Sequence, residues 1–390
     1  MNNSINKLVS VILCVAFSFT FYAQGPKQNK PVEFPFTEKY WSALTDNVEF
    51  TTYKSVSAAK STDGNPIGLM LKDFDFSTGT IEFDVELKGR GFPGITFHVD
   101  KDTLNSETFY LRYFGKPQPQ RRNNMQYAAV VDKVNLWDLT DDYQAAAQLY
   151  ENQWNHIKLV ISENQMRAYV NDMENVALWV PALEGLTKSG GIGLSGDVVY
   201  ANMVVTPNAI EGIPSSAGYD PTANDSRYLR NWLVSEPINF PFGKDLMKQI
   251  VVSPGVVIDS TVFGSTWKPL QAGQRSMVNL TKKYGGTKQG ERRLAWLKTT
   301  ITSDKMQKKK LNFGFNDEVW VFINGKPLYI DKNYYGTPGM KEPLGRATIE
   351  NTIIEIPLQE GENEILIGLT SYFYGWGMIA RWENNDGISF

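Results

Sequence analysis

Between Tyr40 and Thr206 apolar and polar residues alternate in short runs. The clearest are GTIEFDVELKG, PGITFHVD, TFYLRYFG, MQYAAVV, WNHIKLVISENQMRAYVNDM and GGIGLSG. A period of two is the strand period, because successive side chains point to opposite faces. Turn residues bound the runs and no helical periodicity intervenes, so the pattern predicts two sheets packed face to face. Within the fifth run, the polar stretch Ser162–Gln165 reads as a hairpin loop. A second β-rich region, Tyr228 to Phe390, contains RRLAWLKTTIT, KLNFGFNDEVWVFINGKPLYI and IPLQEGENEILIGLTSY. There Asn324-Gly325 separates two apolar runs, the signature of a type I′ hairpin turn that needs positive φ at both residues. Glu360–Asn363 marks another turn, and DLMKQI (245–250) reads as one or two helical turns.

Between the two regions, TPNAIEGIPSSAGYDPTANDS (206–226) is rich in Pro, Gly, Ser and Asn. Its lack of periodicity makes it a connector. The expected organisation is all-β: a sandwich over 36–206, a linker over 207–226 and a second sandwich over 227–390. Residues 1–23 read as a secretory signal, with Lys7 followed by the apolar run Leu8–Ala23. That run is short for a membrane span. The one cysteine, Cys14, lies inside it, preceded by Leu13 where a lipoprotein signal needs small residues. A chain cut after Ala23 would have no thiol chemistry, which sets disulfides, thiolate metal sites and a cysteine nucleophile aside. The location expected is secreted or periplasmic, in a bacterial envelope.

Net charge of −3 over 390 residues gives no basic excess for nucleic acid. The basic run Lys305–Lys310 reads as a solvated strand edge. No G-x-S-x-G elbow and no phosphate loop occur. Glu82, Asp84 and Glu86 alternate on one strand in a spacing some glycosidases use for nucleophile and acid/base. Ile81, Phe83, Val85 and Leu87 occupy the other stripe, so the reading preferred is a half-buried strand with a solvent-facing side. Thr96 and His98 share the polar stripe of GITFHV, opposite Ile95, Phe97 and Val99. His156 is the other histidine; a metal site of His98 with carboxylates remains open, and no cofactor is called for. Asp138, Asp141 and Asp142 in WDLTDDY carry calcium-type oxygens without EF-hand spacing and read as a solvated turn. Aromatics make up 13% of the chain, and flat rings suit the C–H faces of sugars. Trp154, Trp179, Trp296 and Trp320 lie in apolar runs and read as core. Tyr372 and Tyr374 join the loop tyrosines of the second region as ligand candidates.

Residues from about Phe74 to Leu194 resemble the concanavalin A-like lectin/glucanase sandwiches, in particular the 3-keto-disaccharide hydrolase-like and laminin G-like branches. The likeness is carried by DFDFSTGTIEFDVEL, FPGITFHV, ETFYLRYF, MQYAAV, QWNHIKLVISENQMRAYVND and SGGIGLSG. It implies a curved sandwich, often with a carbohydrate on the concave sheet. It also implies cleft-facing positions at Tyr110, Arg112, Gln126 and Tyr127. His98 stands where that pattern often has arginine. EVWVFINGKPLYI with IPLQEGENEILIGLT is similar to galactose-binding-like sandwiches, with Asn324, Gly325, Lys326, Leu358, Gly361 and Asn363 at turn-building positions.

The expected function is a secreted carbohydrate-binding protein or accessory module in bacterial polysaccharide use. A glycoside-acting hydrolase with His98 and Glu107 as proton-transfer residues is the second reading. An adhesive or structural envelope protein is the third. Ligand-binding candidates are Tyr110, Arg112, Gln126, Tyr127 and Trp137 in the first region, and Tyr334, Tyr335 and Trp376 in the second. The partner expected is an oligo- or polysaccharide, with neither nucleic acid nor a membrane span in the mature chain.

Overall fold

The computed structural model describes residues 30–243 and 266–390. The signal-like run and DLMKQI lie outside those residues. Within them the regular secondary structure is almost entirely strand, and the strands build two β-sandwiches. No helix among the described residues is long and apolar enough to cross a membrane.

The N-terminal sandwich has a back sheet and a cleft sheet. The back sheet runs 178–180, 166–170, 154–161, 79–87, 198–207, 56–61, 48–53 in spatial order. The cleft sheet runs 134–135, 125–131, 106–111, 94–99, 191–196, 67–71, 41–43. Alternation explains the packing. Ile81, Phe83, Val85, Ile157 and Leu159 of the back sheet meet Ile95, Phe97, Phe109 and Leu111 of the cleft sheet in one core. The strands Trp154–Ile161 and Met166–Val170 pair across the polar loop expected at Ser162–Gln165. The 207–226 segment is strapped to that loop: Ser162 Oγ donates to Pro214 O (2.7 Å), Gln165 Nε2 to Ser216 O (2.7 Å) and Asn164 Nδ2 to Ser215 O (2.6 Å).

In the C-terminal sandwich an eight-stranded sheet faces a four-stranded one. Leu297, Val319, Val321 and Ile367 of the larger sheet pack on Leu311, Phe313, Ile356 and Trp382 of the smaller. Asn324 and Gly325 have φ of 49° and 73°, as a type I′ turn requires, and join strands Asp317–Ile323 and Lys326–Asn333. The turn at Glu360–Asn363 does a different job. It carries the chain from the small sheet (Thr352–Leu358) to the large one (Gly361–Ser371). Among the tryptophans read as core, Trp296 and Trp320 are buried, but Trp179 on the edge strand Leu178–Val180 is 47% exposed. An apolar run on an edge strand has only one face to bury.

Glu82, Asp84 and Glu86 lie on the outer face of the back sheet, away from the core. Register places His156 directly opposite Asp84. Its Nδ1 lies 2.7 Å from Asp84 Oδ1 and its Nε2 3.3 Å from Glu82 Oε2. Asn202 Nδ2 donates to the other Asp84 oxygen (2.6 Å). Glu86 is not in open water: it is 3% exposed, beneath the Tyr53 hydroxyl (2.7 Å) and the Lys54 ammonium. The stripe is a cross-strand charge network.

The hydrogen bonds to Asp84, then Glu82, lift the His156 imidazole from 6.5 to about 9. Because the folded value is the raised one, this contribution to stability is complete below about pH 6.5 and is lost as pH climbs through about 9. The NMR titration midpoint of His156 is expected near pH 9, and Asp84→Asn should return it toward 6.5. A native midpoint below 7 would remove the network from solution.

Candidate functional site

The outer face of the cleft sheet builds the site in rows. Register aligns Ser195, Gly94, Tyr110, Gln126 and Gln144 across neighbouring strands. Gly94 is needed there, because a Cβ would sit 2.7 Å from Tyr110 Cβ and 2.8 Å from Phe109 O. One residue past its strand, Arg112 reaches back over this row. Its Nη2 donates to Tyr110 Oη (2.9 Å) and to Gln126 Oε1 (2.7 Å). Three rings surround the guanidinium, those of Tyr110, Trp137 and Phe92, with centroids at 5.2, 5.7 and 5.8 Å. Beneath them, Gln126 Nε2 donates to Trp137 O (2.7 Å), which fixes the turn that carries the indole.

The other wall comes from the C-terminal sandwich. Tyr335 and Tyr374 meet Trp137 edge-to-face at 5.1 and 5.7 Å, and Phe373 stacks on Tyr335 with planes 7° apart. With Thr108, Asn135 and Ser195 these side chains line a cleft of about 360 Å³. That is within the usual size range of a small-molecule site. From behind, the buried Arg346 crosses between the sandwiches. Its Nη2 donates to Gln144 Oε1 (3.0 Å) and Gln126 Oε1 (3.2 Å), and its guanidinium stacks 4.8 Å from Trp137.

Two buried carboxyls hold the loop bearing Phe373 and Tyr374. Asp317 Oδ2 accepts from the backbone N–H groups of Tyr372 and Phe373. Asp138, from the N-terminal sandwich, accepts from Gly375 N (3.1 Å) and Asn316 Nδ2 (2.9 Å). Burial raises Asp317 to about 7; burial and then the Asp317 charge raise Asp138 to about 8. Asn316 Oδ1 has no partner in this orientation. Turning its amide over would let it accept from a protonated Asp138. The WDLTDDY segment is thus not a solvated turn. Asp138 is 2% exposed and clamps the junction, Asp142 pairs with Arg275 and Asp141 with Arg122.

The sequence candidates divide. Tyr110, Arg112, Trp137 and Tyr335 line the cleft, and Gln126 supports it from below. Tyr127 does not. It shares strand parity with Met125, lies in the sandwich core and donates its hydroxyl to Glu107 (2.5 Å). Glu107 likewise shares parity with Phe109 and Leu111, so it points inward. It is fully buried, accepts from Gly185 N (2.9 Å), and its carboxyl is raised to about 7 by burial.

His98 leaves the polar stripe. A bulge opposite Gly191–Gly193 and a φ of 54° turn it inward, where it stacks on Phe76. Its Nε2 lies 2.7 Å from Ser77 O, and burial lowers it to about 4. Neither His98 nor Glu107 lines the cleft. Trp376 fills the C-terminal core, donating to Leu369 O (3.2 Å), and Tyr334 turns toward Glu318. No group of three or more metal-binding side chains is placed to hold an ion among the described residues.

Phe92, Thr108, Asn135, Ser195, Phe373 and Arg346 were not singled out in the sequence. Alternation marks Thr108 as cleft-facing, on the parity of Tyr110. For Arg346 there is no local signal.

No family model and no curated protein matches the chain. Among solved structures it is similar to the carbohydrate binding module CBM66 from Bacillus subtilis, at 16% identity and a TM-score of 0.30, over 43% of this chain and 92% of that one. It is similar to a β-glucanase of Bacillus licheniformis, at 10% identity and a TM-score of 0.33, over 45% and 97%. The exoplasmic/lumenal domain of VIP36 matches at 10% identity and a TM-score of 0.33, over 47% and 91%. Identities and scores this low carry no function across, so the site itself must supply the reading.

Asp138→Ala is expected to destabilise the protein by about 1–3 kcal/mol, because Gly375 N–H and the Asn316 amide lose a buried partner. Asp138→Asn tests the protonation. The raised folded value means the native carboxyl loses stability as pH rises from about 4 to about 8. Urea melts at acid and mildly alkaline pH should show the variant gaining on the native protein as pH rises. A gap independent of pH would leave Asp138 charged in the fold.

Proposed function

We propose that this protein binds carbohydrate in the cleft where its two sandwiches meet. The observation that carries the reading is the wall of Trp137, Tyr335, Phe373 and Tyr374 set against a polar floor of Tyr110, Arg112 and Thr108. Sugars present apolar C–H faces and a rim of hydroxyls, and this lining matches both. Both sandwiches contribute, so the unit of binding is the pair rather than either half.

The hydrolase reading finds less support. Glycoside cleavage commonly uses two carboxyls flanking the bond, and no carboxyl or imidazole is among the described residues lining this cleft. Glu107 has the raised acidity of a general acid, but it is sealed between Tyr127 and Gly185. The Glu82–His156–Asp84 network is solvent-accessible but belongs to the back sheet, on the far side of the sandwich. We place the binding outside the cytoplasm, in polysaccharide use, on the strength of the apolar run Leu8–Ala23.

Trp137→Ala and Tyr374→Ala should each weaken binding of an array-selected oligosaccharide about 10-fold or more, roughly 1.4 kcal/mol, by calorimetry. Trp179→Ala, an exposed ring at the back-sheet edge, should leave affinity unchanged. The reverse pattern would move the site out of the cleft. Catalytic turnover of the bound glycan would favour the hydrolase.

A further inference from the structure

We infer that the cleft selects glycans bearing an anionic group, a carboxylate or a sulfate ester, and that Arg112 reads it. This rests on the cleft being the carbohydrate site.

Among the described residues the guanidinium of Arg112 has no counter-charge. Its hydrogen bonds go to a phenol and an amide, both through Nη2. No carboxylate among the described residues forms an ion pair with it. The nearby acids are committed elsewhere. Asp141 faces Arg122 (2.9 Å) and Arg346 (3.4 Å), and Asp138 serves Gly375 and Asn316. Gln126 Oε1 is itself shared between Arg112 and Arg346, so one neutral oxygen stands between two cations. Burial, and then the neighbouring Arg112 charge, hold Arg346 down at about 10.

The rings of Phe92, Tyr110 and Trp137 hold the cation through their faces but neutralise nothing. Among the described residues lining the cleft there is no carboxylate to repel an incoming anion. Asn135 adds a side-chain amide to the same lining. A neutral sugar could satisfy the aromatic wall and leave the charge uncompensated. An anionic one completes it with charge-assisted hydrogen bonds, roughly twice as strong as neutral ones.

The test presents the full chain with hexuronate oligosaccharides, their carboxyl-reduced neutral counterparts and O-sulfated oligosaccharides, with affinities then measured by calorimetry. At least one anionic class should bind about 10-fold or more tighter than its neutral counterpart, and the preference should shrink in high salt. The class preferred identifies the source of the anion. Arg112→Gln should abolish the preference while Arg112→Lys keeps part of it, both checked by ligand-free melting. Should Arg112→Gln fail to fold, the salt dependence of the native preference decides: one unaffected by salt overturns the inference. A preference that survives Arg112→Gln overturns the assignment to Arg112. Equal binding of charged and neutral members, lost in Trp137→Ala, overturns anion selection but keeps the carbohydrate site. No binding in any class overturns both.

Discussion

The cleft exists because two sandwiches are locked together, and the lock is a set of buried polar groups inside an apolar contact. Ala129, Val131, Leu136 and Leu139 of one sandwich pack on Tyr228, Met277, Ala347 and Ile379 of the other. Through this patch run charged groups that hydration would otherwise keep apart. Arg275 donates to Glu184 (2.6 Å), to Asp142 (3.0 Å) and to the carbonyl of Leu139 (2.8 Å). The Glu184 backbone N–H in turn donates to the Tyr127 hydroxyl (2.5 Å), which donates to Glu107. The polar run therefore reaches from the second sandwich into the core of the first. Removing one member would strand the others in a dry environment, which costs far more than the pair contributes. Such a junction fixes orientation, and orientation is what brings Tyr335 and Tyr374 against Trp137.

The burial of Glu107 and Asp138 changes what their raised acidity means. Raised carboxyls often mark catalytic sites, and both residues would qualify on that criterion alone. Access decides otherwise. Each is enclosed by the groups that hydrogen-bond it, so no substrate oxygen could come within reach without opening the fold. Their protonation tunes the junction and the sandwich interior instead.

Alternation made the fold legible: period-two runs, the Asn324-Gly325 turn and the polar loop at Ser162–Gln165 are local signals, and local geometry obeys them. Half of the cleft was legible by other routes: the concanavalin A-like resemblance implied Tyr110 and Arg112, and aromatic chemistry singled out Trp137, which lies on a turn rather than a strand. Tyr127 and Glu107 show a signal that was present but not weighed: both share parity with core residues of their own strands. His98 shows one that was absent. Its polar-stripe position follows from perfect alternation, and a bulge of one residue reverses it. Trp376 was drawn out by its turn-rich neighbourhood, yet the ring belongs to a core that only the packed sheets define. The second wall was the least legible, because which loops of one sandwich face the other is set by the junction. Arg346, distant in sequence from Gln126 and Gln144, is the clearest case.

A cleft assembled in this way is ordered before any ligand arrives. The loop carrying Phe373 and Tyr374 is pinned at both ends of a short span, by Asp317 at Tyr372–Phe373 and by Asp138 at Gly375. Arg112 is held by three rings and two hydrogen bonds, and Trp137 by Gln126. Ordering side chains and loops is among the main costs of association. Here folding has already met it, through carboxyls that serve no chemistry at the ligand. If the cleft takes carbohydrate as proposed, the same rigidity would sharpen selection, since a guanidinium fixed in place could not swing away to find water when a neutral sugar entered. On the proposed function, discrimination would come from Arg112, whose charge no carboxylate among the described residues compensates.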